Sequence, residues 1–510
     1  MKVKNITNSI EIIKKEELDT LFRSYERTSG LICKGVTCLD LSNLSNFSSE
    51  NNLTGASFLI VYHFHNLDKE KRFHIGVSLL YGQTIQSYSY IWPSLFYFEN
   101  EIQKLYGITI YRHERIQKEI VEKSQASFME KSYDGRDKIS VETESQFEKG
   151  IDVVNLNLTE YGIRSQRANF DMAVHGKKIV GLKASQEGVF LGLEKLFEKI
   201  NIEHIRKYIS HVNGYSFIPY QILWSETLEK SQGFEIGDYE NTKRMLLYEF
   251  SKVIENFRYL SLSFKVIDEV DSHLKCREFL NQFKLLLLEF GTARPHPLVV
   301  SPCSETILPE GWKRKCSLLI KSFTKDFDKL KSNITRLSRV LELSHIRSAR
   351  MNALKCGYTG LPLRSFGVSH DLRKNDKFYL YDELELNVPL GINGTSYDRI
   401  LIRLEEVQES FSNIIRIIES FPIAEGLREA DSFSPPANDQ IYYSYCETSS
   451  GEVNFLTALR KDSTKVDRLH IMTPTLRTLK IFEESYHSSD LDLMVVDWVS
   501  LGMNMEEVSK

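Results

Sequence analysis

The sequence contains no C-x-x-C pair. Its seven cysteines stand at 33, 38, 276, 303, 316, 356 and 446. A scattered, odd-numbered set excludes a disulfide framework and any iron–sulfur or zinc site built on paired thiolates, and reads as reduced structural thiols. No histidine cluster is evident along the chain either, so no metal is expected. Long apolar runs are also missing: the longest, such as FKLLLLEF, fall well short of the ~20 residues that a membrane span needs. The opening MKVKNITNSIEIIKKEELDTLF lacks the uninterrupted apolar stretch of a secretory signal. A cytoplasmic protein is therefore expected, with membrane contact through partners only. Charge of one sign is absent too: the formal net charge is -4 with no basic block, which gives no reason to expect nucleic acid.

What the chain does have is size and an ordinary globular composition. Its 510 residues are 42% hydrophobic and 26% charged, enough for two large domains or three smaller ones. The pattern predicts an α+β protein. Residues 1–120 read as a small α+β domain, with a helical pattern over 9–25 and strand-like runs ASFLIVYHF and RFHIGVSLL separated by the charged turn HNLDKEKR. Pro93 then breaks the strand pattern, and Leu95, Phe98, Ile102 and Leu105 keep helical spacing up to Gly107. Apolar periodicity fades after 118, and a polar linker is placed at 121–150. From 151 to 510 the chain reads as mainly helical with small sheets. Helices are expected over 241–270, 276–291, 312–341 and 397–422, the last ended by Pro422, and a hairpin is expected near 440–460.

One passage fits none of these elements. CGYTGLPLRSFGVSHDLRKNDKFYLYDELELNVPLG, residues 356–391, has four glycines and two prolines like a loop, yet Phe366, Phe378, Tyr379, Tyr381 and Leu384 are too sticky for a disordered segment. It is expected inside the fold, between helices. Buried there, its charges must be paired, because an isolated buried charge is prohibitively costly.

Two passages carry a family resemblance. SYIWPSLFYFENEIQKLYGI resembles the signature of the complex I C-type chain, through Trp92, Pro93, Phe98, Glu99, Glu101, Leu105, Tyr106, Gly107 and Ile108, with Asn100 and Lys104 departing. The stretch from Gly357 to Ser410 resembles the complex I D-type chain and the large subunit of energy-converting group 4 NiFe hydrogenases, of the formate hydrogenlyase or hydrogenase-4 type. Gly360, Arg364, Gly367, Asp371, Arg373, Lys374, Tyr381, Val388, Pro389, Gly391, Tyr397, Arg399, Arg403 and Glu405 match in order. C-like then D-like segments in one chain resemble the fused C/D-type subunit of an NADH:quinone oxidoreductase. The resemblance implies a hydrogenase large-subunit-like C-terminal domain. It also implies a complex with an iron–sulfur small subunit holding a 4Fe–4S cluster, a ferredoxin-like subunit and antiporter-like membrane subunits, at the cytoplasmic face of the inner membrane. It places Arg364, Asp371, Arg373, Lys374, Asp382, Arg399, Arg403 and Glu405 in a buried charged loop near the partner's cluster.

The same resemblance shows what is missing. A NiFe site needs four cysteine thiolates. At the positions corresponding to them stand Asn213, Ser216, Asn504 and Glu507, with Tyr220 at a histidine position and Gly502 at an aspartate position. Hard oxygen and amide ligands do not hold that cluster, so the chain is not itself a hydrogenase and no cofactor of its own is expected. For quinone, Tyr161 replaces the family's histidine and Tyr208 falls on its quinone tyrosine, leaving these two as the candidate binding pair. Phe190 replaces a further histidine in FLGLEK, which keeps Gly192, Glu194 and Lys195. Phe257 replaces one on the helix near the partner's cluster. Two functions follow as alternatives: an electron-transferring subunit that couples electron flow, with quinone as candidate acceptor, to ion translocation, or a redox-inactive scaffold for an ion-pumping or inorganic-carbon-handling membrane module. A stand-alone helical interaction protein is the third.

Overall fold

The computed structural model describes residues 2–112, 152–158, 169–176, 178–185, 191–290, 296–343, 350–376, 379, 381–424, 433–485 and 491–510. The expected linker and Tyr161 lie outside them, as does Phe190. The N-terminal part of the chain holds a four-stranded sheet. Its strands are β2 (Ile10–Ile13), β3 (Leu31–Asp40), β4 (Phe58–Asn66) and β5 (Lys71–Leu79) in the order β2-β5-β4-β3, while β1 (Lys2–Asn5) belongs to another sheet. The expected β4–β5 hairpin is present. The helix expected over 9–25 is shortened to Lys15–Glu26, because Ile10–Ile13 instead pairs in parallel with His74–Val77: ladder hydrogen bonds override a helical pattern that is only local.

The signature passage forms the helix Phe96–Tyr106, stopped by Gly107 at φ 68, a left-handed position that glycine adopts without a Cβ penalty. Glu99 is buried and works inside the domain. It accepts hydrogen bonds from Ser87 Oγ at 2.5 Å and from the Tyr88 amide at 2.8 Å, and burial pushes its carboxyl up to about 7.

β6 (Ile85–Gln86) and β7 (Ile110–Tyr111) form a small parallel pair, and β8 (Asp152–Asn157), β9 (Asn169–His175) and β10 (Lys178–Ser185) a three-stranded antiparallel sheet. Helices dominate thereafter. Asp238–Val266 runs for 29 residues and is buried almost all round, against Val270–Leu288 and Ser396–Glu419. Phe250, Phe257, Phe279, Phe283, Phe323 and Phe411 meet between them as one aromatic cluster. The single helix expected over 312–341 is three: Trp312–Phe323, Phe327–Arg336 and Ser338–Leu341. The helix Ser396–Glu419 starts on a capping box in which Thr395 and Asp398 satisfy each other's backbone donors.

The hairpin expected near 440–460 is β11 (Gln440–Thr448) and β12 (Gly451–Leu459), joined by β13 (Val466–Met472) and, at the other edge, by β1. The N-terminal residues therefore complete the C-terminal sheet, which a reading of 1–120 as one unit does not anticipate. The two sheets meet across a polar seam. Lys34 on β3 pairs with Glu452 at 2.9 Å, Thr37 Oγ1 stands 2.6 Å from His470 Nδ1, and Arg477 donates to the Lys34 carbonyl at 2.9 Å. The chain is an α+β protein of helices and small separate sheets, as the pattern predicts. No helix among the described residues is long and apolar enough to cross a membrane.

Candidate functional site

The first half of the 356–391 passage, from Gly357 to Arg373, is folded largely into the interior, whereas Glu383, Glu385, Asn387 and Leu390 beyond it are exposed. Gly360 opens a short helix, Gly360–Ser365, at φ +58, and a Cβ there would stand 2.8 Å from the Gly451 Cα of the β11–β12 turn. That close approach brings Arg364, fully buried, onto three carboxylates. It donates to Glu447 Oε1 at 2.5 Å and to Glu406 Oε1, lies 3.7 Å from Asp371, and also donates to the His370 carbonyl at 3.1 Å. Arg373 continues the network, reaching Asp371 at 2.7 Å and Glu249 at 2.8 Å, and Tyr381 donates to Glu249 at 2.5 Å. Burial alone would raise Glu406, but Lys252 and Arg364 outweigh it and hold its carboxyl at about 2. Burial raises Glu447 against the opposition of Arg364. The Lys252 ammonium is itself buried, without a hydrogen-bond partner among the described residues. For Arg364, Asp371 and Arg373 the pairing that burial demands is thus met, with arginines that each reach at least two carboxylates as the bridging groups.

Arg399 and Arg403 serve a second anchor. Arg399 pairs with Asp497 and donates to Ser500 Oγ at 2.9 Å. Arg403 donates twice to the Ser500 carbonyl and once to Asn256 Oδ1, at 3.0 Å. No carboxylate lies within ion-pair distance of Arg403 among the described residues, and burial lowers it to about 10. Three members of the expected buried set are not buried. Lys374 and Asp382 are exposed, and Glu405 is partly exposed and pairs with Lys331 at 3.0 Å. The buried carboxylate of that helix is Glu406, one position on. It shares a face with Arg399 and Arg403, which the i, i+4, i+7 spacing of the three could have shown.

The four positions aligned with metal-binding cysteines come from opposite ends of the domain and converge. All four are buried. Asn213 Nδ2 donates to Glu507 Oε1 at 2.8 Å, Tyr220 donates to the same oxygen at 3.1 Å, and Thr475 donates to Glu507 Oε2 from both its amide and its hydroxyl. Ser216 turns instead to Glu255, donating to it at 2.9 Å, as does Ser450. The Asn504 amide reaches Thr475 Oγ1 at 3.0 Å. Every donor here is oxygen or amide nitrogen, already committed to another side chain, so the residues do not fit a NiFe cluster. At Gly502, with φ +78, an added Cβ would lie 2.5 Å from an Arg403 nitrogen and from Ser450 Oγ. The aspartate of the hydrogenase pattern would displace that arginine.

Burial raises Glu507 to about 7 against its four hydrogen bonds. A raised folded-state value means the group stabilises the fold fully below its unfolded value of ~4.5, and that this contribution is lost as pH rises through about 7. Glu507→Gln removes the titration. The stability of the variant relative to wild type is therefore expected to improve by roughly 3 kcal/mol between pH 5 and pH 8 in parallel urea titrations. A pH-independent difference would show that the carboxyl titrates normally.

Two family models match separate parts of the chain. Residues 12–137 match the 30 Kd subunit of the respiratory-chain NADH dehydrogenase, and residues 304–444 match its 49 Kd subunit. Similar proteins include the C/D-type NADH-quinone oxidoreductase chain of Bdellovibrio bacteriovorus, 24% identical over 72% of this chain and 68% of that protein. The corresponding C/D-type chain of Pseudomonas fluorescens is 23% identical over 76% and 70%. The D-type NADH-quinone oxidoreductase chain of Carboxydothermus hydrogenoformans is 22% identical over 66% of this chain and 93% of its own length. The chain is thus similar, in two separate stretches, to the two subunits joined in C/D-type NADH-quinone oxidoreductase chains.

The quinone candidates are of unequal standing. Tyr161 lies outside the described residues. Tyr208 precedes a short turn of helix, is 39% exposed, and has the His211 ring 6.5 Å away. Phe257, at the histidine position of the resemblance, is buried in the aromatic cluster. Glu194, retained from the family's H-R-G-x-E-K motif, accepts from Arg468 at 2.5 Å and from Lys510 at 2.9 Å. It ties the C-terminal residue to β13. Sequence reading misses Glu249, Lys252, Glu255 and Asp497. The first three are charges on a helix otherwise apolar all round, and such charges are a signal of an internal network.

Proposed function

We propose that this chain is the large C/D-type subunit in the peripheral arm of a membrane-bound complex related to complex I and to group 4 hydrogenases. It packs against a small iron–sulfur subunit with a 4Fe–4S cluster and couples electron transfer to ion translocation through antiporter-like membrane subunits, at the cytoplasmic face. It has no NiFe chemistry of its own. The observation that supports this reading is the charged loop, which is held rigid inside the helical domain by Arg364 and Arg373 while Lys374 and Asp382 stay at its surface. Such a rigid, charged element beside a redox partner sets the local field without moving.

A second reading, the redox-inactive scaffold, draws on the closed ligand pocket, where Asn213 and Tyr220 both bond to Glu507. Both readings are tested on one preparation. The tagged chain, purified from native membranes in mild detergent, is expected to bring with it a small iron–sulfur protein and multi-spanning membrane subunits. Recovery of the chain alone would overturn both. In the intact complex, Tyr161→Phe combined with Tyr208→Phe is expected to abolish electron transfer to a soluble quinone while assembly is retained. Full activity would remove these tyrosines from the site, and absence of quinone activity in the unaltered complex would favour the scaffold.

A further inference from the structure

The expectation that no histidine cluster exists fails at one place. Folding brings His65, at the end of β4, Glu70, in the β4–β5 turn, and His370, in the charged loop, to the same point. One ligand atom from each lies within 4.8 Å of the other two. We propose that His65, Glu70 and His370 form a binding site for one zinc ion, pinning the N-terminal hairpin to the charged loop.

The geometry is close to what zinc requires. His65 Nε2 and Glu70 Oε2 are 3.8 Å apart, and the two imidazole rings stand 5.5 Å apart, inclined at 64°. Two ligands on one tetrahedral zinc at about 2.0–2.1 Å are separated by roughly 3.4 Å, so side-chain adjustments of no more than about 1.5 Å close the site. A ring nitrogen calls for a partner. His65 is 1% exposed and His370 5%, and His370 Nε2 is buried without a hydrogen bond among the described residues. Such orphaned buried groups are rare in a folded protein and demand an explanation.

The surroundings hold the three ligands in place. Asn375 Nδ2 holds the other carboxylate oxygen of Glu70 at 2.8 Å, the kind of outer contact that orients a metal ligand. Arg364 holds the His370 carbonyl at 3.1 Å, and His65 sits in the β3–β4–β5 ladder. The nearby cations are already engaged. Arg72 pairs with Glu452 at 2.6 Å and Asp376 at 3.4 Å, and Lys34 pairs with Glu452 at 2.9 Å. Two imidazoles and one carboxylate select zinc over calcium or magnesium, which take oxygen ligands throughout. They leave the fourth position to water, which the 42% exposure of the Glu70 side chain admits.

The test uses the full chain stripped with a chelator and titrated with zinc in competition with a chromophoric indicator, then with cobalt to read four-coordinate visible bands. The unaltered chain is expected to bind one equivalent more tightly than a Glu70→Gln/His370→Gln variant. Loss of outer contacts alone weakens metal sites 10–100-fold, so loss of two direct ligands is expected to cost more than about 100-fold. Glu70→Ala, at a largely exposed side chain, serves as the second variant, and unchanged metal-free melting shows that its fold is kept. Equal zinc affinity and equal cobalt spectra in all three proteins would overturn the site.

Discussion

Arg364→Ala is expected to lower the stability of the C-terminal domain by about 3–5 kcal/mol, the range for removing one partner of a buried ion pair. The cost comes less from the lost contacts than from what remains. Glu406, Glu447 and Asp371 stay buried around an empty space, with only Lys252 and Arg373 left to offset them. Arg364→Lys is expected to recover little, since an ammonium cannot bridge two carboxylates at once as the guanidinium does through NH1 and NH2. Equilibrium urea unfolding of the chain measures both. The effect carries a pH signature. Because Glu406 is held down at about 2, its stabilisation is present above ~4.5, its unfolded value, and fades as pH falls towards about 2. A loss below ~1 kcal/mol would mean that water reaches the network and screens it.

Phe257→His is expected to cost about 3 kcal/mol or more and to yield no gain in electron transfer. The family resemblance puts a histidine at this position beside the partner's cluster. In this chain the ring is buried, with Phe323 at 4.9 Å, Phe279 at 5.9 Å and Phe283 at 6.0 Å between centroids. An imidazole there loses apolar contact and brings two ring nitrogens into surroundings made of phenyl rings. Thermal melting of the variant checks the first half of the expectation, and turnover of the purified complex the second. A variant as stable as wild type would indicate that a polar partner or water reaches position 257.

How much of this can be read in the sequence depends on how local the signal is. The Phe96–Tyr106 helix and its glycine stop are legible because spacing and cap agree within one element, and so is the β4–β5 hairpin. The interior placement of 357–373 is legible from the passage's mixture of aromatics and charges, but the exposure of much of 382–390 is not. Other features are not legible either. Ile10–Ile13 looks helical until β5 lies beside it. The breaks near Thr324 and Leu337 carry no glycine or proline, so only packing creates them. Glu406 escapes a motif match that points to Glu405, because the match ignores helix phase and the fold obeys it. The convergence of Asn213 and Ser216 with Glu507 follows from alignment alone. The hydrogen bonds that close the pocket depend on Tyr220, Glu255 and Thr475, which no spacing rule brings together. The His65–His370 meeting joins the two domains and has no local trace at all.

The pairing of β1 with β11 sets a timetable for synthesis. Lys2–Asn5 leaves the ribosome long before its hydrogen-bonding partners, Tyr442–Tyr445, are made, and the Ile6 amide waits for the Ile441 carbonyl. Contacts this distant in sequence form slowly, because loop closure must precede any gain from them. The N-terminal sheet can therefore assemble early on its own hairpin, while β1 stays unclaimed until β11 has been made. An N-terminal fusion would sit on that late-closing edge, whereas the newly made N-terminal sheet has no need of it.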